Sequence, residues 1–234
     1  MTIKQSIRFL LVCLLVLSSS QLHAQTTDWQ LRSQVGVTYS PKKRWDVDAS
    51  IRYDRYQNLQ AFRRTNITFG TSYQVKKRLQ IGASYRFITS PYQNIHRFRL
   101  HLTADKKINK KLSIAARTLL QHDVKYLQWD YLQAYNPRWV FRERLTLKYD
   151  YSKKWRFSLY SEPFISYRDA ELTAYRWRNG LQAQYRYKKQ HELGAGFFWQ
   201  HGMAQNAGQN VGVFLIQYTF DLNKPKAKKK KKST

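Results

Sequence analysis

The sequence predicts an all-β protein, an antiparallel transmembrane β-barrel of ten to twelve strands. Three observations carry that prediction. About eleven segments alternate apolar and polar residues with period two, most of them roughly nine to eleven residues long, the length a tilted membrane strand needs. Their connections fall into two series, one short and lysine-rich, the other longer and more varied. Thirteen arginines lie on the parity opposite to the apolar side chains.

The chain opens with a different kind of segment. Lys4 and Arg8 precede an apolar run from Phe9 to Leu17, and small polar residues then lead to Leu22-His23-Ala24. This is the pattern of a secretory signal peptide, residues 1–24, with cleavage expected after Ala24. The run is too short to span a bilayer as a helix, and Ser18-Ser19-Ser20 follows where a stop-transfer segment would be basic. Cys13, the one cysteine, sits inside the run, so the exported chain carries neither a disulfide framework nor a thiolate nucleophile.

Composition then narrows the class. A mean hydropathy of −0.68 with 42% apolar residues excludes a bundle of membrane helices, but not a barrel, which shows lipid only every second side chain. The 17 Tyr and 7 Trp suit the aromatic girdles that sit at the two bilayer interfaces.

The barrel is expected to occupy residues 25–222, built as a series of hairpins. The short connections are Pro41 to Arg44, Lys76 to Arg78, Asn109 to Lys111, Ser152 to Lys154 and Lys188 to Gln190. The long ones are Gln57 to Ala61, Thr89 to Asn94, Lys125 to Asn136, Arg168 to Leu172 and Gly202 to Gln209. Short turns on one rim and long loops on the other place the short set toward the periplasm. Eleven segments conflict with the even count usual for single-chain bacterial barrels. Twelve is preferred over ten, with the extra pass hidden in Val124 to Pro137; in a ten-strand barrel the first segment would be incomplete.

Parity assigns the faces. Residues such as Val35, Ile51, Phe69, Ala83, Leu100, Leu145, Leu159, Leu181 and Ile216 point outward, while Arg32, Arg52 and Arg186 join ten further arginines on the inside: Arg64, Arg86, Arg97, Arg99, Arg117, Arg142, Arg144, Arg156, Arg176 and Arg178. An arginine facing lipid at the midplane costs roughly 2–4 kcal/mol, so such a set has to line the interior. Asp46, Asp48, Asp54, Asp105, Asp150, Glu162 and Glu192 share the inward parity and predict an internal ion-pair network that leaves cations in excess. The ten arginines and Glu162 are the candidate lumen and anion-binding residues.

The last segment, VGVFLIQYTF, places Phe214, Ile216, Tyr218 and Phe220 on one face, which resembles the terminal-strand signal read by the barrel-assembly machinery. It departs from that pattern because the lysine-rich stretch 223–234 follows it. That tail has almost nothing apolar to bury and is expected to be disordered.

The Arg-x-Arg strand starts at Arg97/Arg99, Arg142/Arg144 and Arg176/Arg178, the Lys-Lys turns and the segment Ser161-Glu162-Pro163-Phe164 resemble the outer-membrane barrels of Gram-negative bacteria grouped as domain of unknown function 2490. The resemblance covers nearly all of the chain beyond residue 24. It implies a β-barrel in the outer membrane, in contact with outer-membrane lipid, and brings no activity with it.

Function stays open among several classes. One is a structural or small-solute-binding barrel in which Arg, Asp, Glu and Tyr fill a closed interior. A second is a narrow anion-selective channel for acidic oligosaccharides, with the arginine ladder supplying bidentate contacts. A third, a membrane-embedded lipid-modifying enzyme, needs a histidine beside a serine and an acid, and His96, His101, His122, His191 and His201 show no such spacing. No metal-ligand spacing and no glycine-rich phosphate loop appears, so neither a metal nor a cofactor is expected. A net charge of +28 raises nucleic acid as a partner, but export and the division of charge among lumen, turns and tail argue against it. Lysine turns suit anionic lipid headgroups better, and the lumen suits an acidic small solute.

Overall fold

The computed structural model describes residues 27–125, 138–168, 171–188, 190–204 and 207–223. The signal-peptide stretch and residues 224–234 of the tail lie outside them, as does all but the start of Val124 to Pro137.

Eleven strands form one closed barrel. They are β1 (Thr27–Lys42), β2 (Trp45–Tyr56), β3 (Ala61–Lys76), β4 (Leu79–Thr89), β5 (Asn94–Lys107), β6 (Leu112–Val124), β7 (Arg138–Asp150), β8 (Trp155–Arg168), β9 (Glu171–Tyr187), β10 (His191–Gly202) and β11 (Asn210–Asp221). Each pairs antiparallel with the next in sequence. The seam between β1 and β11 is parallel, with Leu31 beside Phe214 and Val35 beside Tyr218. This settles the count within the expected range but against the preferred twelve. An up-and-down chain of odd strand number brings its first and last strands together pointing the same way. β6 and β7 pair directly, Leu120 with Phe141 and Leu112 with Tyr149, so the wall between them has no place for a further strand.

The lysine turns all fall on one rim, where backbone hydrogen bonds tie neighbouring hairpins together. Gln74 N donates to Arg44 O, Asp105 N to Arg78 O, Asp150 N to Lys111 O and Arg186 N to Lys154 O. The ring closes where Leu222 N donates to Thr38 O. The sheet closes on itself and leaves no open edge strand among the described residues, which a wall facing hydrocarbon requires.

Alternation sets the two faces. Val35, Leu100, Leu159, Leu181 and Ile216 are each more than half exposed on the outside. That belt is bounded toward the lysine rim by Trp45, Tyr73, Tyr149, Trp155 and Tyr185, and toward the other rim by Trp29, Tyr53, Trp139, Tyr167 and Trp177. Trp45 packs on Tyr73 at 5.0 Å and Trp155 on Tyr185 at 4.8 Å between ring centroids. From Trp139 to Tyr149 the rise of about 3.3 Å per residue, tilted by about 40°, gives a belt ~25 Å tall, the height of a bilayer's apolar layer.

Candidate functional site: an arginine-lined lumen

Side chains from all around the ring meet in an internal cavity of about 320 Å³ lined by twelve arginines. Nine of the ten candidate arginines line it, together with Arg32, Arg52, Arg63 and Glu162. The tenth, Arg156, lies instead toward the lysine rim, half exposed, where its Nε donates to Asp150 Oδ1 at 2.7 Å.

Two carboxylates organise the cluster. Asp54, fully buried on β2, accepts from Arg52 Nε at 2.8 Å and Arg64 Nε at 2.8 Å, with Arg32 Nε 4.0 Å away. Glu162 on β8 accepts from Arg142 Nη2 at 2.7 Å, Arg144 Nη2 at 2.8 Å and Arg178 Nη1 at 3.3 Å. A third, Asp123, receives both a Nε and a Nη2 bond from Arg97, each 2.7 Å. Register explains these groupings: Asp54 is the cross-strand partner of both Arg32 and Arg64, and Arg178 is the partner of Glu162.

Aromatic faces hold several guanidinium groups from the other side. Arg142 lies 4.4 Å and Arg178 4.7 Å from the Phe164 ring, and Arg144 4.5 Å from Tyr160. Phe198 is shared, with Arg178 at 4.4 Å and Arg32 at 4.9 Å. Such stacking fixes cations without neutralising them.

Twelve arginines against four inward carboxylates, Asp54, Glu162, Asp123 and Asp48, leaves the cavity strongly positive, since guanidinium groups stay protonated. The imbalance concentrates on β4, β5 and β6. Among the described residues Arg86 donates to the Thr68 hydroxyl, at 2.9 Å, and makes no ion pair. Arg99 and Arg117 make no ion pair among the described residues, and the Nε of each is buried without a hydrogen-bond partner. The Nε atoms of Arg32, Arg144 and Arg178 are unbonded too, so what sets Arg99 and Arg117 apart from these is the missing ion pair.

Two lining residues escape a strict alternation of faces. Arg63 reaches the lumen because the β2–β3 register shifts after Asp54, so that Arg64 faces Asp54 while Phe62 faces Arg55. Arg63 is the extra residue, and its Nη1 donates to Gln30 Oε1 at 2.6 Å. A second shift, between Phe164 and Ile165, brings Tyr175 and Arg176 together to the inside. Asp123 shares the inward parity but was not among the expected acids. Its alternation with Gln121 would have disclosed it.

Three of the histidines are engaged elsewhere. His96 Nδ1 lies 2.7 Å from Tyr85 Oη, His191 Nδ1 2.7 Å from Tyr218 Oη, and His201 Nδ1 2.7 Å from Asn210 Oδ1. His101 faces the lumen, lying against Gly82 where a Cβ would collide with its ring. Of the terminal-strand residues, Phe214 and Ile216 are exposed on the outer face.

One solved structure with a similar fold is described as a KdgM porin in complex with disordered oligogalacturonate. It is 13% identical, with a TM-score of 0.46, over 73% of this chain and 88% of that one. No curated protein matches the sequence. The family model for a protein of unknown function, DUF2490, matches residues 29–211, nearly the whole barrel from Trp29 in β1 to the first residues of β11, and the chain belongs to that family.

Proposed function

We propose that the protein is an outer-membrane barrel whose lumen binds small acidic solutes through the guanidinium groups that form no ion pair among the described residues. The observation that carries this reading is the state of Arg99 and Arg117, cationic, facing the cavity and, among the described residues, in no ion pair, with Asp48 as an acid in the field of both. A purely structural lumen would gain from pairing them, as it does Arg52 and Arg142. A carboxylate or phosphate presents two oxygens that match the guanidinium fork, so a solute supplies the missing partner.

The bilayer placement rests on the exposed apolar belt and its two girdles. Export through residues 1–24 and insertion by the barrel-assembly machinery, reading Phe214, Ile216, Tyr218 and Phe220, complete the proposal. The lysine rim would then face the periplasm.

A second reading, passage of the acid through the barrel, draws on the cations that continue from the cavity toward the lysine rim, Lys148, Arg156 and Arg186, each paired with one acid, Asp105, Asp150 and Glu192. One experiment addresses both. The refolded barrel is titrated with a monosaccharide uronate and with its neutral sugar, and then recorded in a planar bilayer under a salt gradient. Binding of the uronate alone, weakened in Arg99→Gln and Arg117→Gln, is the expected result. Equal affinity for the two sugars would overturn the proposal. An anion-selective reversal potential would add transport, and a silent membrane would leave binding only.

A further inference from the structure

The outer wall is not uniform. On β3 and β4 the cross-strand partners Thr71 and Ala83 are small, while the residues on either side of them along the belt are large: Phe69 with Tyr85 above, and Tyr73 with Ile81 below. The inward neighbours Gly70 and Gly82 are small as well, and the Asp48 and His101 side chains cover them from within. The result is an apolar groove of about 520 Å³ whose floor is Thr71 and Ala83 and whose sides include Trp45, Tyr73, Ile81 and Leu102. Past Ala83 and Leu100 it continues into a second groove of about 600 Å³ that ends at His122 and Trp139.

The lower groove opens onto the most basic part of the rim. Trp45 directly follows the exposed turn Lys42-Lys43-Arg44, and Tyr73 precedes the exposed turn Lys76-Lys77-Arg78. The two turns are held side by side by the bond from Gln74 N to Arg44 O, 2.8 Å. The nearby acids are engaged elsewhere, Asp46 with the Ser40 hydroxyl and Asp105 with Lys148.

We infer that this groove seats one phospholipid with an anionic headgroup, its phosphate against the two basic turns and one acyl chain lying over Thr71 and Ala83. The dimensions agree. A chain entering at the rim crosses half of an apolar layer about 30 Å thick, which brings its end to the level of Ala83 and Leu100, about midway between the girdles. Position in the belt selects a hydrocarbon chain, and six clustered cations select a negative headgroup over a zwitterionic one. The inference rests on the bilayer placement proposed above, but not on what the lumen binds.

The test uses the folded full barrel in nanodiscs of phosphatidylcholine containing a minority of phosphatidylglycerol, with retained lipid counted by native mass spectrometry after release. The wild type is expected to keep one phosphatidylglycerol in preference to phosphatidylcholine. Ala83→Leu fills the floor with a side chain the bilayer tolerates and should abolish retention of either lipid. Lys76→Gln, Lys77→Gln and Arg78→Gln should lower the preference for phosphatidylglycerol by about fivefold for each cation removed. Ala195→Leu, on β10 across the barrel, should change nothing. Equal retention of the two lipids by the wild type, or unaltered retention in Ala83→Leu, would overturn the seat. A barrel that fails to enter nanodiscs at all would instead fault the bilayer placement.

Discussion

Asp54 and Glu162 stand on opposite walls of the barrel, on β2 and β8, and each gathers three arginines. The two clusters meet at one ring, because Phe198 on β10 carries Arg32 from the first and Arg178 from the second. The lumen is therefore braced across its width by a chain of carboxylate, guanidinium, phenyl, guanidinium and carboxylate. Brace and proposed binding surface use the same residue type. What separates them is whether an ion pair is formed.

Removing either carboxylate strands its arginines. With side-chain exposures of 0% for Asp54 and 3% for Glu162, no water replaces the lost partner. Glu162→Gln and Asp54→Asn should each destabilise the barrel by about 3–5 kcal/mol. Urea unfolding in detergent, followed by the gel shift between folded and heated forms, would measure it. The double variant should depart from additivity by more than about 0.5 kcal/mol, because the clusters share Phe198.

Arg99 and Arg117 should behave in the opposite way. Neither makes an ion pair among the described residues, and Asp48 is an acid in the field of both. Arg99→Gln and Arg117→Gln therefore trade repulsion among arginines against that attraction and should leave unfolding midpoints nearly unchanged. Each should at the same time weaken uronate binding about ten- to a hundredfold, the worth of one charge-assisted hydrogen bond. A loss of stability in step with the loss of binding would place these residues in the brace.

Much of this architecture is legible in the sequence, for a physical reason. A wall with lipid outside and arginine inside obeys period two over regular strands, so parity alone places Arg86, Arg99, Arg117 and Arg142 correctly. It also puts a charge, Glu143, on the outer face, where Thr118 Oγ1 donates to it at 2.6 Å. It fails where one residue is inserted. Arg63 and Tyr175 sit at register shifts, and no local signal distinguishes a bulge from a regular step. The grouping of Arg32 and Arg64 around Asp54 depends on register between strands, which the alternation within each strand leaves free. The strand total was legible as eleven segments. Evenness was an expectation about barrels in general, and the parallel seam removes the conflict.

Adjacent residues on β5 give a direct assay of the two faces. Leu100 is 59% exposed on the outer belt, and Arg99 lines the lumen. Leu100→Arg should cost about 2–4 kcal/mol, because it lies close to the midplane. Arg99→Leu should cost little. Refolding into lipid vesicles, with stability read by tryptophan fluorescence, would distinguish the pair, and equal penalties would argue against hydrocarbon around Leu100.

Gly180 probes the packing around the shared ring. A Cβ there would lie 2.6 Å from Tyr160 Cζ and 2.7 Å from Phe198 Cβ, so both rings would have to move. Gly180→Ala should destabilise by about 1–3 kcal/mol, the cost of overpacking. It should also loosen Arg144, which stacks on Tyr160. Far smaller effects would mean that the rings shift freely and that the brace is soft.

The parallel seam makes the sharpest prediction, since a twelfth strand between β1 and β11 would change a distance by a factor of two. Val35 and Tyr218 are direct partners on the outer face, about 4.8 Å apart across neighbouring strands. The chain after Ala24 has no cysteine of its own, so Val35→Cys with Tyr218→Cys gives a clean pair. Their Cα separation falls within the about 4.4–6.8 Å that a disulfide spans, whereas one intervening strand would put them near 10 Å. Oxidation of the folded double variant should yield an intramolecular bond that shifts migration after heating. Val35→Cys with Phe214→Cys, displaced by four residues along β11, should not cross-link. A bond in the second pair and none in the first would mean that the seam has a different register, and no bond in either would reopen the strand count.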